Sequence, residues 1–313
     1  MKKIMASAAV LALLVLILAV ANRHALFFRL MTNGEPPPLL DRVEESPDAQ
    51  WFDEYFLVEA LDERTHAIGE PLYAQQNYSY LIEGTQRALL FDAGPGYRDI
   101  RAVAESLTDL PITFLPSHLH FDHIGNRIIF DDVALVDLPH LRRRAKDNRL
   151  QLTWAEHLGS SEGVAAPTLE VDEWIAVGSD IDLGERRLRV VYTPGHTDDS
   201  ISLVDQSSDF VFTGDFLYPG PLYAFLPNSS LGEYLQGSED LLAELHSSSA
   251  LYGAHRDKAP GVPRLSTSDL MDLRDALLTL RAGDAKATGT YPRTYRVNER
   301  LRLLAEPRWL QDW

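Results

Sequence analysis

A chain of 313 residues is about twice the ~150 that serve as a prior for one domain, so it has room for one large α/β domain or two small ones. Its 45 % hydrophobic and 24 % charged residues exclude a largely disordered or fibrous chain. The 46 acidic against 29 basic residues, a net charge of -17, set up a field that repels nucleic-acid phosphates. With no cysteine, disulfides, iron–sulfur clusters, cysteine-ligated zinc and a thiol nucleophile are all excluded.

At the N-terminus, Met1–Lys3 precedes an uncharged apolar run from Ile4 to Ala21. As a helix this run would span roughly 27 Å, close to a ~30 Å hydrocarbon core and longer than the ~7–15 residues of a usual signal h-region. Residues 1–31 are therefore expected to be a signal anchor or a signal peptide. Ala19-Val20-Ala21 has the small-x-small form of a cleavage site, whereas Arg23 and Arg29 suit a headgroup layer, and a buried soluble helix is a third reading. Lys2 and Lys3 favour a cytoplasmic N-terminus, so the rest of the chain is expected to face the periplasm or exterior, or to be exported. Residues 32–50, rich in proline and acid and without hydrophobic periodicity, read as a flexible linker.

Short aromatic and branched runs then predict strands at Phe56–Val58, Tyr78–Ile82, Ala88–Phe91, Ile112–Leu115 and Val133–Val136, with a helix over Arg98–Leu107. Leu138–Asp172 is mixed and polar, in the manner of a helix-bearing flap. A second set of strands is predicted at Trp174–Val177, Leu188–Tyr192, Ile201–Val204, Phe210–Phe212 and Leu251-Tyr252, with helices around Ser238–His246 and over Ser266–Ala282. Two sets of strands, each closed by helices, predict an αββα sandwich over residues 51–283, with 284–313 as a C-terminal extension.

Ser117-His118-Leu119-His120-Phe121-Asp122-His123 places four metal-ligand side chains in six positions directly after a predicted strand. The i,i+2 spacing of His118 and His120 points both rings to one side of an extended segment, and imidazole with carboxylate suits Zn²⁺. Three more ligand types sit where strands run into loops: His196 after Pro194-Gly195, Asp215 after Thr213-Gly214, and His255 after Gly253-Ala254.

This order of motifs resembles the metallo-β-lactamase superfamily of αββα hydrolases over about Phe52–Ala282. The resemblance implies that His118, His120 and His196 bind one metal, that Asp122, His123 and His255 bind a second, and that Asp215 bridges them. It also implies that Asp92, in Leu89-Leu90-Phe91-Asp92-Ala93-Gly94, supports the metal loop from behind. Two Zn²⁺ are expected, with Fe or Mn as substitutes. Such a pair generates hydroxide from a shared water near neutral pH, with Asp122 orienting it and passing its proton to the leaving group.

Departures from the family's patterns narrow the substrate. Asp at 215 and the lack of cysteine speak against a true β-lactamase. Arg256-Asp257 after His255 and no lysine in Phe216–Pro227 speak against a glyoxalase II-like thioesterase. A small-molecule carboxylic ester or lactone is the remaining expectation, and Tyr218, placed as in similar lactone hydrolases, is expected to contact the substrate carbonyl. The alternatives are thioester or β-lactam hydrolysis and a non-catalytic metal-binding sensor.

Overall fold

A computed structural model describes residues 2–125 and 130–313, with the side chains of 2–10 and 12 outside that set, so Lys2 and Lys3 are not described beyond the backbone. Two helices open the chain, α1 (Lys2–Ala21) and α2 (Arg23–Met31). The first sheet follows in simple sequential order: β1 (Ala49–Trp51), β2 (Leu57–Asp62), β3 (Thr65–Glu70), β4 (Asn77–Glu83), β5 (Ala88–Phe91) and β6 (Ile112–Leu115). Its strands are antiparallel until β5 and β6, which run parallel with Leu90 opposite Phe114. The crossover between them is α3 (Ile100–Leu107), whose first turn is closed by Asp99 accepting from the Arg101 N–H and whose Ile100, Val103 and Ala104 are buried.

After α4 (Phe121–Ile124), β7 (Ala134–Asp137) leads into the region read as a flap, Leu138–Asp172, which holds α5 (Pro139–Arg142), β8 (Arg149–Gln151), α6 (Trp154–His157) and β9 (Thr168–Glu170) and is followed by β10 (Glu173–Ala176). The strands pair as β7 with β10 and β8 with β9, so the flap is a small structured layer. The second sheet has the order β11 (Asp180–Asp182), β12 (Arg187–Tyr192), β13 (Ile201–Asp205), β14 (Phe210–Gly214), β16 (Ala250–Gly253), β17 (Arg264–Ser266), while β15 (Gly220–Ala224) leaves it.

Strand alternation explains the layering. Leu188, Val190, Leu203, Phe212 and Tyr252 share one core with Tyr80, Leu81, Leu89 and Leu90 of the first sheet. Their neighbours Val191, Val211 and Leu251 belong to a second core with the helices α7 (Leu231–Glu244) and α8 (Thr267–Ala282). That is the αββα sandwich the pattern predicts.

Three features differ from the sequence reading. The helix expected around Ser238–His246 begins earlier, at Leu231, because Ser230 caps it by accepting from the Glu233 N–H; Gly232 and Gly237 blur the apolar period there. Residues 284–313 add β18 (Ala287–Thr288), β19 (Arg293–Arg296) and β20 (Leu301–Ala305), and β20 pairs in parallel with β15 from Gly220↔Leu301 to Ala224↔Ala305. The segment expected to be a flexible linker is held on the domain. Leu40 N–H donates to Leu72 O at 2.7 Å, and Glu45 is buried against Arg256, with both Arg256 Nη atoms 2.6 Å from its oxygens. Prolines and acids suggested a tether by composition, but these partners come from distant parts of the chain.

Among the described residues no single helix is long and apolar enough to cross a membrane; Leu13–Ala21 and Arg23–Met31 form a pair bent by 74°. Leu11 and Leu13–Leu18 are exposed. The second helix packs on the domain instead. Phe27 meets Phe225 and Tyr291 edge-on at 5.3 and 5.8 Å, Phe28 meets Trp154 of the flap at 5.8 Å, and Arg23 and His24 both reach Glu306.

Candidate metal centre

Each sequence-predicted ligand lies at or just beyond the C-terminal end of a strand in one of the two sheets. His118 and His120 follow β6, with Asp122 and His123 in the single turn of α4; His196 follows β12, Asp215 follows β14 and His255 follows β16. Glycine permits two of these exits. Gly214, at φ +51°, precedes Asp215, and a Cβ on it would lie 2.4 Å from Ser117 Oγ; Gly195, at φ +138°, precedes His196, and a Cβ there would strike Tyr234 at 2.4 Å.

The side chains converge as two groups, His118, His120, His196 and Asp215 in one and Asp122, His123 and His255 in the other, all buried, with the ligand atoms of each within 4.8 Å of one another. In the first, His120 Nδ1 lies 2.8 Å from His118 Nε2 and 3.1 Å from His196 Nε2. In the second, Asp122 Oδ2 lies 3.6 Å from His123 Nε2 and 3.5 Å from His255 Nε2. Asp215 spans the two: its Oδ2 is 3.4 Å from His196 Nε2, while its Oδ1 is 3.0 Å from His255 Nε2 and 3.4 Å from His123 Nε2.

Outer partners fix the rings. Asp92, in the left-handed region at φ +66°, accepts from the Ser117 N–H at 2.6 Å and holds His123 Nδ1 at 3.0 Å. His196 Nδ1 lies 2.7 Å from Tyr223 O, His255 Nδ1 2.9 Å from Gln75 O, and His118 Nδ1 3.0 Å from Ser117 Oγ. Asn77 Nδ2 donates to Asp122 through both its backbone oxygen, at 2.9 Å, and its Oδ2, at 3.1 Å. Sequence reading missed Asn77, whose only signal is a polar residue opening a mostly apolar strand.

The electrostatics suit a cation. Burial, reinforced by neighbouring imidazoles, holds His118 and His120 well below the usual histidine pKa; burial also lowers His196 against the pull of Asp215. Neutral imidazole is the form that ligates. Burial opposes charge on His123, yet Asp92, Asp122 and Asp215 raise its pKa well above normal. For Asp215 burial is outweighed by His255 and His123, which push its carboxyl well below the usual range. The fit is supported by buried inward atoms, His123 Nε2, His255 Nε2 and Asp215 Oδ1, that meet no partner in hydrogen-bonding geometry. Five imidazoles and two carboxylates form a donor set suited to borderline divalent ions.

Tyr218, expected to contact the substrate carbonyl, lines the cavity over the cluster, with its ring 5.1 Å from that of His255, and its hydroxyl donates to Pro221 O at 2.5 Å. In this arrangement no proton remains for a substrate carbonyl.

The cavity holds about 730 Å³, in the range of small-molecule sites. His120, Asp122, His196 and Asp215 form its floor, and Tyr223, Phe225, Leu226 and Leu158 form apolar sides. Among the described residues lining it there is no Lys or Arg, whereas Glu35 and Glu162 contribute acid.

Comparison with known proteins agrees with this geometry. A family model described as "Metallo-beta-lactamase superfamily" matches residues 72–288. The chain is similar to the "Acyl-coenzyme A thioesterase MBLAC2" of Bos taurus, at 28 % identity over 215 residues covering 60 % of this chain and 76 % of that one. It is also similar to the "Hydroxyacylglutathione hydrolase" of Bradyrhizobium sp. (strain ORS 278), at 31 % identity over 147 residues, 45 % of this chain and 48 % of that one. Among solved structures, a metallo-beta-lactamase from Pontibacter korlensis has a TM-score of 0.52 at 16 % identity, covering 71 % of this chain and 99 % of that one. The BLEG-1 B3 metallo-beta-lactamase gives 0.50 at 23 % identity, covering 65 % and 95 %. At those identities the structural likeness concerns the fold alone.

Proposed function

Since the chain belongs to the metallo-β-lactamase superfamily, we propose that it is a di-zinc hydrolase cleaving an uncharged carboxylic ester or lactone that carries an apolar acyl group. The observation that carries this reading is the cavity itself: two ligand groups joined by Asp215 on its floor, apolar sides, and no cation among its described lining residues. When bound, a pair of divalent ions in those groups would lower the pKa of a water and polarise the carbonyl under attack. His118, His120, His196 and Asp215 would hold one ion, and Asp122, His123 and His255, beside Asp215, would hold the other. As water adds to the acyl carbon, Asp122, steadied by Asn77, takes its proton and returns it to the leaving oxygen as the C–O bond breaks.

The curated relatives favour a second reading, a thioester of coenzyme A or glutathione. Both carriers are anionic, and an acidic mouth without Lys or Arg opposes them. A panel of neutral esters, lactones, a coenzyme A thioester, a glutathione thioester and a penicillin, assayed on metal-loaded protein, separates the readings. The neutral ester or lactone should exceed each anionic thioester by at least about tenfold in kcat/KM, a difference of about 1.4 kcal/mol. An anionic thioester as best substrate would replace the first reading with the second. If no compound turns over, a metal-binding sensor is left. In the same panel Tyr218→Phe should change kcat/KM by less than about threefold while costing about 1 kcal/mol of stability, the worth of its bond to Pro221.

We also propose that the run from Ile4 to Ala21 inserts in a membrane or directs export, leaving the domain outside the cytoplasm. Its length and lack of charge support this. Protease added to intact spheroplasts should digest the domain; complete protection would refute the assignment.

A further inference from the structure

The wall of the cavity that faces the metal cluster does not come from the stretch that matches the family. Phe27, Phe28, Leu30 and Met31 of α2, then Thr32, Asn33, Glu35 and the segment Pro36–Pro38, supply it, all N-terminal to residue 72, where the match begins. This roof is fastened at both ends. Arg23 and His24 bind Glu306 beside β20, with Arg23 Nη2 at 3.0 Å and His24 Nε2 at 3.1 Å. Beyond the prolines, Glu45 is paired with the buried Arg256, the residue next to His255. Thr32 closes the end of α2, its N–H and its hydroxyl both donating to Phe28 O at 2.9 and 2.8 Å.

The roof carries Thr32, Asn33 and Glu35 between its apolar side chains, and it leaves apolar surface uncovered. Leu30 is 81 % and Met31 69 % exposed, although both line the cavity. Phe225, Leu226 and Leu158 line the same cavity as these side chains and as the carboxylates Asp122 and Asp215. Exposed apolar side chains continuous with a ligand cavity are surface that a bound ligand can cover.

We propose that α2 and Pro36–Pro38 form an acyl-chain subsite, and that they make the protein selective for substrates with a long, unbranched apolar acyl chain. This rests on the hydrolase reading above and names the half of the substrate that reading leaves open. The reactive carbonyl lies at the metal ligands, and the chain runs under Phe27 and Phe28 and out along Leu30 and Met31. Each methylene placed there leaves water for apolar contact, which favours binding by up to about fourfold per group.

The test uses the full chain, metal-loaded and held in phosphatidylcholine nanodiscs, with p-nitrophenyl esters from acetate to decanoate. For the native chain kcat/KM should rise by roughly threefold per methylene to about octanoate. In Leu30→Ser/Met31→Ser, whose exposed positions spare the core, the octanoate-to-acetate ratio should fall roughly tenfold. Calorimetry should show dodecanoate bound roughly tenfold more weakly by the same variant. Acetate cleaved with a flat chain-length profile, or a ratio that the variant leaves unmoved, overturns the subsite and leaves the hydrolase reading standing. No ester cleaved at any length overturns the hydrolase reading and the subsite with it.

Discussion

Asp215→Asn should lower kcat/KM for the best substrate by roughly 10²- to 10⁴-fold, about 3–5 kcal/mol. Metal content should fall from about two divalent ions per chain, the complement of a dinuclear site, to about one. The reason is the position of the two carboxylate oxygens. Oδ2 faces His196 at 3.4 Å, and Oδ1 faces His255 and His123 at 3.0 and 3.4 Å, so one side chain serves both ligand groups. Asparagine keeps one oxygen and replaces the other with an NH₂, which cannot ligate as an anion. Asp92→Asn should be milder, costing about 10- to 100-fold in metal affinity. Asparagine tolerates the φ of +66° and still accepts from Ser117 N–H, but it no longer sets a charge against His123. Elemental analysis after dialysis, together with steady-state rates, measures both. An Asp215→Asn protein with full metal and full rate would show that the two groups do not share this carboxylate.

Glu45→Gln should destabilise the protein by about 3 kcal/mol, or release the segment from residue 32 to 48 if local detachment is easier. The pair it breaks is buried on both sides, with side-chain exposures of 2 % for Arg256 and 5 % for Glu45. Without the carboxylate, the Arg256 guanidinium is left charged and enclosed, with Gln76 Oε1 at 2.9 Å as a neutral partner. That uncompensated charge, rather than the lost attraction, is the main cost. Replacing both partners, as Glu45→Leu/Arg256→Met, should recover most of the loss. Urea unfolding reads the global effect and limited proteolysis reads release of the arm. A change below about 0.5 kcal/mol with no new cleavage in residues 32–48 would place this pair with exposed ones, which contribute little.

The chain order His118, His120, Asp122, His123, His196, Asp215, His255 was legible in the sequence, because four of these residues crowd one loop after a short apolar run and the other three each follow such a run within a few residues. Runs with a period of two, and helices with caps such as Ser266 and Gly283, are local patterns, written in residues that neighbour one another along the chain. From them the αββα layering and the strand ends that carry ligands follow. Other parts depended on contacts between distant segments. Glu45 and Arg256 are 211 residues apart, Arg23 and Glu306 are 283 apart, and no local pattern announces that such pairs meet. The carbonyls of Gln75 and Tyr223 that orient His255 and His196 carry no side-chain signature at all. The sequence by itself determined which side chains could hold metal and on which scaffold, since both are set by local chemistry and periodicity. Tertiary packing alone decided that the N-terminal helix and its proline turn roof the site, because that placement is fixed by two buried or half-buried ion pairs and an aromatic cluster whose members lie at opposite ends of the chain.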